Sequence, residues 1–323
     1  NNIIITGETQ GSSFPTFVTK LDLGLNEIWS QNYDGLGGGL NIIQKFDSNY
    51  VLVKKTWNDP HEGIAVTKLE NNGAIMWNSQ FEGTIEFGGI LNEGSSNIIL
   101  TSQDIPGINA SSNSLIRLND NGQYENLNSS QGNGIGDNVN PIALSKNYNG
   151  GYIYSTVILN EMSMRIISTD SLGIQEWEAT FDGVFDHHGD IVKTQDSSYI
   201  FAADRKLFKI SQSGELIWEY EIPLNDGYLW GYIKKIIEIE NGRYLVGGTT
   251  YSTDTQHDFW LVNLVDPTTI SCFDPTQAIG DLDKDGEITI LDLNLHTAYH
   301  IENLENECFD LIGDINQDGI NSG

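Results

Sequence analysis

Four carboxylates and a glycine near the C-terminus carry the most specific chemistry in this chain. Asp281, Asp283, Asp285, Gly286 and Asp292 stand at positions 1, 3, 5, 6 and 12 of the run from Asp281 to Asp292. Carboxylates at alternate positions of a tight loop converge on one point, and glycine at the sixth position permits the sharp turn. Six to eight hard oxygens of this kind are what Ca2+ takes. The carbonyl of Glu287 supplies the seventh position, and Asp292 gives a shorter final ligand than the usual Glu. A second run repeats the pattern with Asp314, Asn316, Asp318 and Gly319, the carbonyl of Ile320 at its seventh position, and ends before a twelfth. Leu291, Leu295 and Ala298 share one face after the first loop, so a helix is expected there.

The other candidate groups are spread through the preceding residues. His187 and His188, flanked by Asp186 and Asp190, have the imidazole and carboxylate chemistry of a metal site. The competing reading is a polar loop bonded to its own backbone. His61 beside Glu62 and His257 beside Asp258 have acid–base composition. Trp57, Tyr228 and Trp230 offer flat faces on which a sugar could stack or a protein anchor, against the plainer role of edge packing. No catalytic residue is singled out: Gly-x-Ser-x-Gly, Cys-x-x-Cys and zinc-helix motifs are all missing, and no one carboxylate pair stands out among so many acids. The glycine runs at Gly35–Gly39 and Gly132–Gly136 precede no helical pattern and read as turns.

What must position these groups is a repeat. An aliphatic or Thr residue, a polar turn and then a tryptophan recur from Leu21 to Trp29, Leu69 to Trp77, Thr169 to Trp177 and Ile210 to Trp218. Degenerate copies run from Leu118 to Asn126 and from Leu264 to Cys272. The interval of 41 to 54 residues lies in the range of propeller blades and solenoids. Each unit reads as four short strands rich in Tyr, Ile, Val, Phe and Trp between Gly, Asn, Asp and Ser, and helical periodicity is missing from residues 1 to 270. The expected fold is mainly β: a propeller of about six four-stranded blades over residues 1–275, with seven or eight left open. The first blade lacks its innermost strand. A small α-helical calcium domain follows over 276–323.

Strands alternate in direction within a blade, so the first-to-second and third-to-fourth turns share one face. These are short. The second-to-third and blade-to-blade connections share the other face and read as long, chemically rich loops that hold Trp57, His61, Asp186, His187, His188, Tyr228, Trp230 and His257. That face is the expected ligand-binding surface. The repeated tryptophans are expected to be structural, packing between neighbouring blades.

Composition bounds the partners. Forty-five acidic residues against 16 basic give a net charge of -29, which repels phosphate backbones and anionic lipid, so nucleic acid and membrane insertion are excluded as roles. No apolar run reaches the roughly 20 residues of a membrane span. Cys272 and Cys308 leave a disulfide and two free thiols both open. Asn1 opening directly into Ile3-Ile4-Ile5, and Gly323 falling inside a motif, read as a piece of a longer chain.

Two resemblances add to this reading. Lys68 to Trp77 is similar to the quinoprotein-type repeat. The pair Gly242-Arg-Tyr-Leu-Val-Gly-Gly-Thr-Thr250 and Asp258-Phe-Trp-Leu-Val-Asn-Leu264 resembles secreted propellers common in Bacteroidetes. Export by a type IX system is what that second resemblance implies. The tandem loops, each opening Gly-Asp, resemble the type I dockerin family over residues 280–323, which implies a cohesin-like or secretion-machinery partner. Where one class of that family has Ser-Thr, this chain has Ile290 and Leu291. The combined expectation is a secreted or cell-surface binding or display protein that recognises a protein or glycan and carries a calcium-ordered attachment module. The alternative is a secreted propeller enzyme acting on polysaccharide, as lyase or glycosidase.

Overall fold

A computed structural model describes residues 2–8, 15–33, 38–58, 61–82, 84–104, 111–131, 139–158, 160–184, 189–223, 228–252 and 256–269. The chain is a six-bladed β-propeller, and strand order within each sheet follows chain order. Blade one holds β1 (Ile3–Glu8), β2 (Thr16–Leu21) and β3 (Glu27–Tyr33). Blade two holds β4 (Gly39–Gln44), β5 (Tyr50–Asn58), β6 (His61–Leu69) and β7 (Ile75–Glu82). Blade three runs β8 (Thr84–Asn92), β9 (Ser96–Asp104), β10 (Ser111–Asn119), β11 (Tyr124–Gln131). Blade four runs β12 (Val139–Lys146), β13 (Tyr152–Ile158), β14 (Ser163–Thr169), β15 (Gln175–Asp182). Blade five runs β16 (Gly189–Lys193), β17 (Tyr199–Ala203), β18 (Lys206–Ile210), β19 (Leu216–Glu221). Blade six holds β20 (Tyr228–Glu240), β21 (Arg243–Ser252) and β22 (Gln256–Val265). The first blade begins with the strand equivalent to the second of the others, as its sequence alignment implied.

The second strands lie between two sheet neighbours and two blade faces, so both of their side-chain sets are largely apolar. Val51, Leu52, Ile98, Ile99, Ile153, Ile200 and Phe201 are wholly buried. Alternate residues of one strand serve different seams. Val51 and Val53 pack with Ile99 and Ile116 between blades two and three, while Tyr50 and Leu52 pack with Val18 and Tyr33 between blades one and two. The fourth strands are exposed edges and carry the alternation of a half-buried strand, as in β15.

Trp29, Trp77 and Trp177 each reach into the next blade. The Trp29 indole N–H donates to the Asn71 carbonyl at 2.9 Å, and that of Trp77 to the Asp120 carbonyl at 2.7 Å. A Cβ placed on Gly73, Gly122 or Gly214 would come within 3.1, 3.0 and 2.8 Å of the Trp29, Trp77 and Trp177 rings, so each ring lies flat on the next blade's third-to-fourth turn. Those glycines have φ of +90°, +78° and +87°, a region where a β-carbon strains the backbone.

A β-bulge makes this aim possible. Lys20 pairs with Trp29 but Leu21 with Glu27, and the same slip occurs at Lys68/Leu69, Ser168/Thr169 and Lys209/Ile210. One extra residue before each tryptophan (Ile28, Met76, Glu176, Ile217) re-aims it. In blade three, where Asn126 replaces tryptophan, the slip moves to Leu115/Ile116.

Cations bind the same turns. Lys20 bonds the Asn71 side chain, Lys68 reaches Asp120 at 3.4 Å, and Arg117 donates to the Ser171 carbonyl at 3.1 Å. One third-strand cation therefore ties one blade to the turn of the next. Lys45 joins in by donating to the Ser96 carbonyl at 3.0 Å. Its ammonium is held below the ordinary lysine range by burial, with Asp120 pulling the other way.

Among the described residues, 194–196, 237–246 and 261–269 group as a second compact unit. Within it the Asp266 carboxylate accepts from Thr268 N–H at 2.9 Å and from its hydroxyl at 2.7 Å, and Asp266 N–H donates to the Gly242 carbonyl at 2.7 Å.

Burial pushes the phenols of Tyr33 and Tyr199 up to about 12, and moves Tyr244 upward as well. An ordinary tyrosine titrates near pH ~10, so the folded state holds these protons longer than the unfolded chain does. Their contribution is whole below pH ~10 and is lost as pH rises through about 12. Thermal melts should show a transition temperature that falls steeply between these pH values, with a shallower fall in Tyr199→Phe. Equal slopes in the two proteins would refute the assignment.

Candidate functional site

Antiparallel pairing sets which strand ends share a face. Trp57 pairs with Glu62 and Asn58 with His61, so β5 and β6 stay paired to the tip of their hairpin. Tyr228 and Trp230 lie at the start of β20, and His257 is the second residue of β22. These five positions thus fall at strand ends on the second-to-third and blade-to-blade face, as the strand-direction argument required. The long-loop expectation is corrected at these five positions, whereas the centres of the expected loops 102–113 and 181–190 lie outside the described residues. The stretches containing Trp57, His61, Tyr228, Trp230 and His257 are strand, because each backbone group in a hairpin gains a partner by extending the ladder toward its turn. The connection after Ala203 is only Asp204-Arg205. Asp186, His187 and His188 lie outside the described residues. So do the proposed calcium ligands Asp281, Asp283, Asp285, Glu287, Asp292, Asp314, Asn316, Asp318 and Ile320, and the helix expected after them.

Asp190, which the sequence set beside the histidine pair, has a structural task. Its carboxylate accepts from Lys235 at 2.8 Å and from the Ile236 backbone N–H at 2.9 Å, tying the first strand of blade five to that of blade six. Among the described residues no three His, Cys, Asp or Glu side chains group as a metal site.

A polar patch unforeseen from sequence lies at the same end of blade three. β10 begins Ser111-Ser112-Asn113-Ser114, where the equivalent stretches of blades two and four carry Ile64 and Met164 at the Asn113 position, by their common register to Leu118, Leu69 and Thr169. Asn113 is 1% exposed, and neither end of its amide has a hydrogen-bond partner; the buried Ser114 hydroxyl also has none. An unpaired buried polar group costs about 1–3 kcal/mol. The signal was legible as four polar residues opening an otherwise apolar third strand, but only the blade register shows that they enter a seam.

The opposite face is built differently. Its turns are closed by backbone bonds such as Glu70 N–H to Ala74 O and Asp170 N–H to Ile174 O, both 2.8 Å. Side chains cap the same turns, as where Asn72 Oδ1 accepts from Ala74 N–H at 2.8 Å. Tryptophans and lysines then lock each turn to its neighbour blade. Beside these staples Lys20, Ile28, Trp29, Asn71 and Met76 line an open depression between blades one and two.

No family model and no curated protein matches the chain. Solved structures do share its fold. A protein of unknown function from Dyadobacter fermentans is 12% identical, with 82% of this chain and 91% of that one covered at a TM-score of 0.58. One of unknown function from Bacteroides caccae is 11% identical, covering 81% and 93% at 0.52. A protein from Lactobacillus plantarum is 11% identical, covering 82% of each chain at 0.53. At these identities the likeness is one of fold, and function has to be argued from the site.

Proposed function

We propose that the protein is an extracellular or cell-surface binding or display module whose propeller recognises a protein or glycan. Recognition takes place on the face carrying Trp57, His61, Tyr228, Trp230 and His257. The observation that carries this reading is the contrast between the two faces. One carries staples that tie blade to blade, whereas the other places aromatic and imidazole positions at strand ends, with the unpartnered amide of Asn113 at the same end of blade three. Stacking rings with nearby amides and imidazoles is the chemistry that selects sugars and protein surfaces. A glycan array and a pull-down from extracellular extracts, run with Trp57→Ala/Trp230→Ala, test it. Binding lost in the double variant with an unchanged melting temperature supports the reading. Retained binding, or turnover of a polysaccharide by the native protein, replaces it.

The second half of the proposal is a calcium-ordered dockerin-like module over residues 276–323 that serves attachment or assembly. Residues 280–323 carry eleven acids against one lysine, so a compact form without cation repels itself. So short a segment also falls near the ~40-residue size at which metals or disulfides become necessary. At free calcium a hundredfold above the dissociation constant, each site contributes about 2.7 kcal/mol. Chelator should therefore open the chain to protease near Asp274-Pro275 while residues 1–270 survive, and Asp281→Ala should do the same in the presence of calcium. A segment that stays resistant under both treatments defeats this half of the proposal and leaves the first half standing.

A further inference from the structure

On the stapled face the seam between blades one and two opens into a depression of about 590 Å3, within the roughly 300–1,000 Å3 of small-ligand sites. Its two sides differ. Ile28, the Trp29 ring and Met76 make an apolar side on which Ile28 and Met76 are about half exposed, and Lys20, Glu70 and Asn71 make a polar one. Bonds already formed fix both. Trp29 is held by its N–H bond to the Asn71 carbonyl and stands edge-on to Tyr50, with ring centroids 6.3 Å apart. Lys20 is 6% exposed, its ammonium 5.5 Å from the Tyr50 ring centroid and donating to Asn71 Oδ1. Asn49 and Asn72 brace the turn: Asn49 Oδ1 accepts from the Asn71 backbone N–H at 3.1 Å, and Asn72 Nδ2 donates to Glu70 Oε2 at 3.1 Å.

Those bonds leave hydrogen-bonding capacity of both kinds unused. Asn71 Nδ2, a donor, and Glu70 Oε1, an acceptor, have no partner among the described residues. The repeat does not impose this. In the seam between blades two and three, Trp77 bonds the Asp120 carbonyl as Trp29 bonds that of Asn71, so Asp120 takes the place of Asn71 and meets Lys68 at 3.4 Å. Cation and carboxylate satisfy each other there, whereas the amide at position 71 keeps a donor in hand.

We propose that this depression binds a sugar unit of a neutral glycan, at a site separate from the face proposed above for recognition. A pyranose has an apolar C–H face that packs on Ile28, Trp29 and Met76, and hydroxyls that both donate and accept. One ligand therefore meets the apolar side, the Asn71 donor and the Glu70 acceptor together. The charges narrow the class. Glu70 and a net charge of -29 oppose an anionic sugar, and Lys20 opposes a cationic one, since like charges brought together cost affinity.

The test runs in the Trp57→Ala/Trp230→Ala background, where the other face is disabled, so the two readings fail separately. Neutral hexasaccharides of gluco, galacto and manno configuration are titrated by calorimetry, with hexagalacturonate as the anionic control. Saturable binding of at least one neutral hexasaccharide at one site per chain is expected, and none of the control. Asn71→Asp supplies the carboxylate that the next seam uses, so the melting temperature should hold or rise while affinity falls at least about tenfold, a difference of about 1.4 kcal/mol. Met76→Ala should weaken binding at an unchanged melting temperature, and it decides the matter if Asn71→Asp folds poorly. No neutral hexasaccharide bound, hexagalacturonate bound as tightly, or affinity untouched in both variants would overturn the proposal. Capture of an extracellular protein that is lost in Met76→Ala, with no sugar bound, would also overturn it by assigning the depression to a protein partner.

Discussion

Trp77→Ala lowers the stability of the propeller by about 3 kcal/mol, at the lower end of the range for removing a large aromatic side chain from a packed site. The indole is partly exposed, which trims the hydrophobic loss. Against that, it packs with Ile116 and Leu118 of the next blade, lies on Gly122 and donates to the Asp120 carbonyl. Truncation leaves a slot at the seam and an acceptor short of its partner. Urea unfolding should show the midpoint moved down. Because the residue lies far from the proposed recognition face, binding by the folded fraction should not change. A stable variant with lost binding would place the tryptophan in a ligand site instead.

Gly151→Ala is the second large effect, and its neighbour Gly150 supplies the control. A β-carbon at Gly151 would sit 1.9 Å from the Thr169 carbonyl oxygen and 2.6 Å from the Asp170 carbonyl carbon, both rigid backbone of the adjacent strand end. The strands must part to admit it, at a cost of about 3 kcal/mol, the upper end for overpacking. The turn would also loosen its bond from Gly151 N–H to the buried Asn147 side chain, now 2.7 Å. At Gly150 a β-carbon meets nothing within 4 Å, but φ is +87°. Alanine there suffers only the left-handed penalty of about 1–2 kcal/mol. Two adjacent glycines thus separate steric from conformational cost in one experiment. If Gly150→Ala proves the more damaging, the close approach at Gly151 is not what holds that turn.

Much of this architecture could be read before any coordinates. Period, strand composition and turn residues are local properties, so a propeller of about six units, the four-strand plan seen in blades two to five and the missing first strand of blade one followed from residues alone. The structural role of Trp29, Trp77 and Trp177 was legible for the same reason: large aromatics recurring at one repeat position have to be covered by something that also recurs. The face holding Trp57, His61, Tyr228, Trp230 and His257 followed from strand alternation. The loop character assigned to those five positions did not survive, because whether a polar stretch continues a ladder depends on its partner strand.

What only the tertiary structure decided lies at the seams. Sequence determines that a tryptophan ends four of the six repeats, but not that an extra residue slips the ladder before it, since a bulge is a mismatch between two strands and belongs to neither. Asp190 reads as a metal ligand beside His187 and His188, yet it ties Lys235 and Ile236 of the next blade, a partner some 45 positions away. Asn113 reads as one more polar residue near a loop until the register sets it where Ile64 and Met164 fill the other seams. Periodicity is written along the chain, whereas the fate of a polar side chain depends on what the folding of distant residues brings against it.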